Sequence, residues 1–237
     1  MRSTPIRLSD LWPRRPAGTA LPPGQRELQV FPRFADDPRR PLPPVPAEAT
    51  LTVAGAVRRE VTFAVAQLPE LVPTTSLTAD FHCVTTWSVR DLTWAGVLFA
   101  EFWREVVVPR CEPEDDVRGI VVRGLDGVQA VVRLDDALQP DVLLADRLEG
   151  AALSATHGAP LRFVSPGQYG YKSIKHLCRI ELYRDTPPST YGAKEHPRAR
   201  VAFEERHSRI PGTALRWPYR LAVPVTAALA ERTGRRS

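Results

Sequence analysis

The sequence predicts a mixed, strand-rich α+β domain that carries an extended Pro-rich arm at its N-terminal side. Three observations predict this. Alternating stretches rich in β-branched residues recur through the middle of the chain, few apolar runs keep helical spacing, and proline punctuates residues 1–47 ("LPPG", "PRRPLPPVPAEA"). A segment of that composition has too little apolar surface for a core of its own and runs extended over its neighbours. The boundaries that follow are an arm over 1–47, a domain over 48–187 and a charged C-terminal wrap over 188–237.

Each element has its own reason. "TLTVAGAV" and "EVTFAV" alternate and lie close together, which predicts a strand pair. In the arm before them, the aromatics of "QVFPRF" (Phe31, Phe34) are placed to pin it to the body. "AVAQLPELV" reads as a short helix ending at Pro73, and "SLTADFHCV" as a strand leading into a loop around Cys83. "TWAGVLFAEFWREVV" has apolar residues at helical spacing, with Pro109 as its stop. "VRGIVVRGLDGVQAVVRL" predicts two strands joined at Asp126-Gly127, a strong hairpin signal. "LDDALQPDVLLADRL" reads as helix or turn, "APLRFVSPG" as a strand, "YGYKSIKHL" as a loop with a short turn, and "CRIELYR" as the last strand.

Composition bounds the function. The 237 residues are 43% hydrophobic and 25% charged, enough for a sizeable core. The net charge of +5 suits an anionic ligand, and much of the basic excess sits at the chain ends ("WPRRP", "ERTGRRS"). No broad basic stripe interleaved with aromatics is present, so no nucleic-acid partner is expected. Cys83, Cys111 and Cys178 are far apart and odd in number, with no CxxC pair. That excludes a zinc or iron–sulfur spacing and argues against a disulfide framework. Arg14-Arg15 is followed by Pro16 and by no apolar run, and "YRLAVPVTAALAERTG" is too short to span a bilayer. A cytoplasmic protein without membrane-spanning segments is the expectation.

Two constellations carry chemistry. In "ADFHCVTTWSV", Cys83 has polar neighbours in His82 and Thr85 and an aromatic wall in Trp87. A buried structural thiol, a reactive nucleophile and a soft metal ligand are all open for it. "HGAPLRFVSPGQYGYKSIKHL" collects His157, Arg162, Tyr171, Lys172, Ser173 and Lys175 among glycines. Forked and point cations, a hydroxyl and close backbone approach together suit a phosphate, although "GQYGYKSIK" is not a P-loop and a basic surface loop is the plainer alternative.

Taken together, "LTVAGAV", "DFHCVTTWSVRDLTWAGV" and "GAPLRFVSPGQYGYKSIKHL" resemble the sulfite-oxidase-fold molybdopterin oxidoreductases, in particular the bacterial branch that includes the methionine-sulfoxide reductase catalytic subunit. The resemblance covers residues 48–187 and implies a sulfite-oxidase-type molybdopterin-binding domain. It implies that Cys83 ligates molybdenum beside the two dithiolene sulfurs of one molybdopterin, in its monophosphate form. His157 takes the place of a cofactor-contacting Asn, and Arg162 that of a phosphate- or pterin-contacting Arg. Ser173, Ile174 and Lys175 match a segment that holds the cofactor through backbone and Lys, with Tyr171 and Lys172 leading into it. His82 and Thr85 are placed to hydrogen-bond around the sulfur, and "VFPRF" to add a cofactor-contacting loop. "KEHPRARVAFEERH" is also similar to short bacterial members.

The departures lie on the substrate side. The reductase branch has Glu where this chain has Thr85, a Thr near Gly124, and an aromatic at Val128. Sulfite oxidases continue with "AGN" and a sulfite-binding Arg, where this chain reads "VTTWSV". Arg90 and Arg123 are alternatives as substrate cation or surface charge. The family's immunoglobulin-like dimerisation domain is not expected within these 237 residues. The implied activity is two-electron oxygen-atom transfer on a small substrate (sulfoxide, N-oxide or sulfite-like), with electrons from a separate haem-, flavin- or quinone-linked partner. The alternative is a non-catalytic pterin- or anion-binding module of the same fold.

Overall fold

In a computed structural model, the described residues are 21–29, 31, 42–185, 195–219 and 221. Most of the Pro-rich arm, including the twin arginine and Phe34, and nearly all of "YRLAVPVTAALAERTG" lie outside them.

The chain runs through β1 (Arg26–Glu27), β2 (Thr50–Gly55), β3 (Val61–Ala64), α1 (Leu68–Leu71), β4 (Thr74–His82) and β5 (Trp87–Leu98). A helix follows as α2 (Phe99–Phe102), a π turn (Trp103–Val107) and α3 (Val108–Cys111). Then come β6 (Gly119–Gly124), β7 (Gln129–Arg133), α4 (Leu134–Ala137), β8 (Leu143–Leu148), β9 (Ala151–Ala152), β10 (Arg162–Val164) and β11 (Leu177–Tyr183). This is the mixed, strand-rich α+β architecture. The predicted pairs form: β2 with β3, and β6 with β7 across the Asp126-Gly127 turn.

Two of the predicted elements change. The spacing of "TWAGVLFAEFWREVV" is helical, yet Thr93–Leu98 belong to β5, which pairs with β4 on one edge and β8 on the other. Pairing on both edges outweighs the local helical preference, and the helix starts only at Phe99. Pro109 does not stop it. The helix runs on to Cys111, and the π turn just before Pro109, where Val108 N donates to Trp103 O, accommodates the missing N–H. Likewise "LDDALQPDVLLADRL" holds only one helical turn, α4, before β8.

One sheet has the order β1-β5-β8-β10, with β4 also on β5 and β9 on β8. The other has the order β3-β2-β11-β6-β7. The larger core fills the space between them with Leu51, Val53, Ile120, Val122, Leu144, Phe163 and Ile180 among others. The first sheet is also covered on its far face. Leu144 faces the larger core while Leu143 and Ala145 face a second, smaller one, following the two-residue strand period. Cys83 lies in that second core with Phe81, Trp87, Trp94 and Ala159. The strand alternation thus separates the fold's main packing from the face that carries the cysteine.

Phe163 is fully buried and meets Phe99 edge-on at 5.6 Å between ring centroids. Phe163→Ala is expected to cost about 3–5 kcal/mol through lost transfer energy and the cavity left behind, read as a lower urea midpoint at unchanged slope.

Candidate functional site

Cys83 opens the turn between β4 and β5. Its N–H donates to Trp87 O at 2.8 Å, and Thr86, at φ 79°, donates to Cys83 O at 3.2 Å. The turn's other carbonyl partners come from outside the two strands. Gln25 Nε2 donates to Cys83 O at 3.2 Å, Arg26 N to Thr86 O at 3.0 Å, and Arg206 Nη1 to Val84 O at 2.6 Å. The arm therefore grips the turn on one side and the C-terminal segment on the other. Buried carbonyls need such donors, and a tight turn cannot supply them all itself.

The sulfur is buried and has the Thr85 hydroxyl at 3.1 Å. Burial pushes the free thiol up to about 11, opposed by the Thr85 contact and by the nearby Arg206 charge. A thiolate there is stable only with a compensating cation or metal. His82 turns away from the sulfur. Ser88 Oγ donates to Gln25 Oε1, so His82 Nδ1 donates to Ser88 Oγ at 2.7 Å. Burial holds the His82 ring below its usual pKa.

The second wall is the segment from His157 to Leu177, folded back on itself. His176 N donates to Gly158 O, Leu177 N to Leu161 O and Phe163 N to Ile174 O, at 2.7–3.0 Å. The Ser173 hydroxyl accepts from Ser165 N at 3.1 Å. His157 stacks on Phe31 at 4.9 Å, which places the arm aromatic at this wall, and Arg162 Nη1 donates to His157 O at 3.1 Å. The buried Arg162 guanidinium lies over Phe31, Phe81 and Trp94 at 5.2–5.6 Å. Val84, beside Cys83, packs against the cluster of Tyr169, Ala199 and Val201, as does Tyr171. Cys83 and Ala159 share the smaller core, so the two constellations meet in space although some seventy residues separate them.

Lys172 goes elsewhere. Its Nζ donates to Val131 O at 2.5 Å and forms a fully buried ion pair with Glu195. Burial pulls its pKa down, against the pull of Glu195. Tyr171 accepts at its hydroxyl from His196 N at 3.2 Å. Both residues therefore anchor the C-terminal segment. Arg198 adds to that anchor through Asp136, with a contact of 2.7 Å. Arg123 pairs with Glu181 at 2.8 Å and Arg90 with Glu27 at 3.8 Å, so each has a carboxylate partner. Gly124 has a steric reason: a Cβ there would lie 2.4 Å from Lys175 O, leaving no space for a side chain. Gln25 and Arg206 escape a reading of motifs, since each reaches Cys83 or Val84 from a distant part of the chain.

This fold and site define a class. Residues 40–191 match the family of the oxidoreductase molybdopterin binding domain, and the chain belongs to that family. It is 30% identical over 186 residues to the protein-methionine-sulfoxide reductase catalytic subunit MsrP of Ralstonia nicotianae, covering 66% of this chain and 54% of that protein. It is 33% identical over 158 residues to MsrP of Gluconobacter oxydans, covering 62% and 50%. The chain thus spans about half the length of these curated relatives. Its fold is shared with the sulfane dehydrogenase SoxCD from Paracoccus pantotrophus, at a TM-score of 0.53 and 21% identity, over 65% of this chain and 43% of that one.

The residues fit such a cofactor. Among the described residues no group of three or more His, Cys, Asp or Glu is placed to hold a metal ion. Cys83 would then be a single protein donor, with the remaining ligands coming from the cofactor. A soft thiolate beside buried guanidinium groups suits a metal held by further sulfur donors and an anionic tail. Among the described residues no helix is long and apolar enough to cross a membrane.

Lys172→Met removes the ammonium from a fully buried ion pair with Glu195, and is expected to cost about 3–5 kcal/mol in urea unfolding. Adding Glu195→Leu is expected to recover part of that loss, because it removes the carboxylate that Lys172 had offset.

Proposed function

We propose that this chain is a molybdenum–molybdopterin oxidoreductase that transfers an oxygen atom, with two electrons, to or from a small sulfoxide, N-oxide or sulfite-like substrate. The observation that carries the reading is Cys83. It is a buried thiol with a hydroxyl at 3.1 Å, in the same small core as the start of the His157–Leu177 wall. The family and the relatives named MsrP support the reading.

When bound, the molybdenum cofactor supplies the two-electron change and the oxygen transfer. Cys83 holds the metal as a thiolate. The Thr85 hydroxyl donates to that sulfur and lowers its electron density. Ser173, Ile174 and Lys175 hold the pterin and its phosphate, in the monophosphate form, through main-chain groups and the Lys175 ammonium. His157 and Arg162 close the pterin side. Lys172 and Tyr171 act one step back, by fixing the C-terminal segment. His82 keeps a neutral ring hydrogen-bonded to Ser88 and orients the strand end behind the sulfur.

Oxygen removed from a sulfoxide leaves as water, which takes up two protons and two electrons. The electrons come from a separate haem-, flavin- or quinone-linked partner; the three cysteines have no CxxC or iron–sulfur spacing. Three free cysteines suit a reducing, cytoplasmic setting.

Full-length protein from a host that makes molybdopterin is expected to carry about one molybdenum per chain, as one thiolate donor per chain requires. Cys83→Ser is expected to lose the metal and the sulfoxide or N-oxide turnover while keeping the unfolding midpoint of wild type made in a host without molybdopterin. Metal-free wild-type protein from that host would overturn the proposal.

A further inference from the structure

Arg206 is an unusual place for a charge. Its side chain is fully buried, and among the described residues its carboxylate contact is Glu204, 4.0 Å from Nε. Buried guanidinium groups are costly unless their donors are used. Both terminal nitrogens are used on main chain from two distant segments, Nη1 on Val84 O at 2.6 Å and Nη2 on Pro23 O at 3.2 Å, while Nε makes no hydrogen bond among the described residues. The guanidinium carbon lies 4.9 Å from the Tyr169 ring centroid. Tyr169 N in turn donates to Ala199 O, and Val201 N to Gly167 O, so the segment carrying Arg206 is sewn to the second wall. Gln168 Nε2 adds a bond to Arg198 O. The arm makes room for this. A Cβ at Gly24 would lie 3.1 Å from Arg206 Nη2 and 2.9 Å from Arg216 Nε.

The C-terminal segment 195–206 is therefore a strap. It is anchored at one end by the buried Lys172–Glu195 pair and by Arg198 on Asp136, and its other end inserts one guanidinium between the arm and the Cys83 turn. We propose that Arg206 is a positioning residue. Its planar fork bridges Val84 O and Pro23 O and fixes the turn that presents the Cys83 sulfur. A lysine cannot replace it, because one ammonium on a flexible stem does not reproduce the two fixed donor directions. The consequence for metal retention rests on the reading of Cys83 as the metal ligand. The fixing of the turn does not.

The test compares wild type, Arg206→Lys and Arg206→Met as full-length chains. Molybdenum and pterin are measured on protein from a molybdopterin-making host. Alkylation of Cys83 by iodoacetamide is followed by mass spectrometry at one pH on protein from a host that makes none, with the buried Cys111 as internal reference. The expected result is that both variants raise the Cys83 rate at least tenfold, leave Cys111 unchanged and lose most of the bound metal. Unchanged Cys83 rates in both variants overturn the proposal, and so does a wild-type rate in Arg206→Lys alone. If Cys111 also becomes reactive, the variants have unfolded more widely, and hydrogen exchange on wild type decides. Amides of Cys83 and Thr86 that open together with Tyr169 and Val201 support the strap, while turn amides exchanging tenfold faster overturn it. A wild-type chain without molybdenum, whose Cys83 rate still responds to Arg206, supports this proposal and overturns only the functional reading.

Discussion

The carbonyl oxygens of the Cys83 turn are the constraint on which the site depends. The turn lies beneath other chain segments, and each buried carbonyl needs a donor. Its strands β4 and β5 end at His82 and restart at Trp87, so the sheet ladder cannot provide for what lies between. Donors arrive instead from Gln25 and Arg26 in the arm and from Arg206 in the strap. Segments that look peripheral in the sequence thus complete the site, while the strand-rich body supplies the platform.

Four cations near the site divide the work. Lys172 is neutralised by Glu195 and ties the strap down. Arg162 lies over aromatic faces, which stabilise a guanidinium, and donates to His157 O. Arg206 places its two terminal nitrogens on main-chain carbonyls. Lys175, half-buried beside the Gly124 turn, is the ammonium that the proposed function assigns to an anionic tail. An anion is a natural counterpart to such a wall. The steric closure at Gly124 also explains why no larger residue occupies that position, since Lys175 O already fills the space.

Much of the fold was legible because its signals are local. The β2–β3 pair and the β6–β7 hairpin follow from alternation and an Asp-Gly turn. Within the site, Cys83 and Thr85 stand two residues apart and their contact could be read from spacing. β5 was obscured because Trp94, Val97, Leu98 and Phe99 mimic a helical stripe, and only pairing with β8 decides against it. Lys172 read as one more cation in a basic run, since its partner Glu195 comes 23 residues later, beyond the domain boundary drawn from composition. Arg206 was illegible for the same reason carried further: Val84 lies 122 residues away in sequence. Charge in a tail reads as a solvated surface until the fold shows which charge is buried.

The central claim is that Cys83 provides the one protein sulfur at a metal centre. X-ray absorption at the molybdenum edge tests it most directly, on wild type and on any metal-retaining fraction of Cys83→Ser. The account predicts molybdenum surrounded mainly by sulfur in wild type, with one fewer sulfur neighbour in the variant or no metal at all. An identical sulfur shell in both proteins would contradict it.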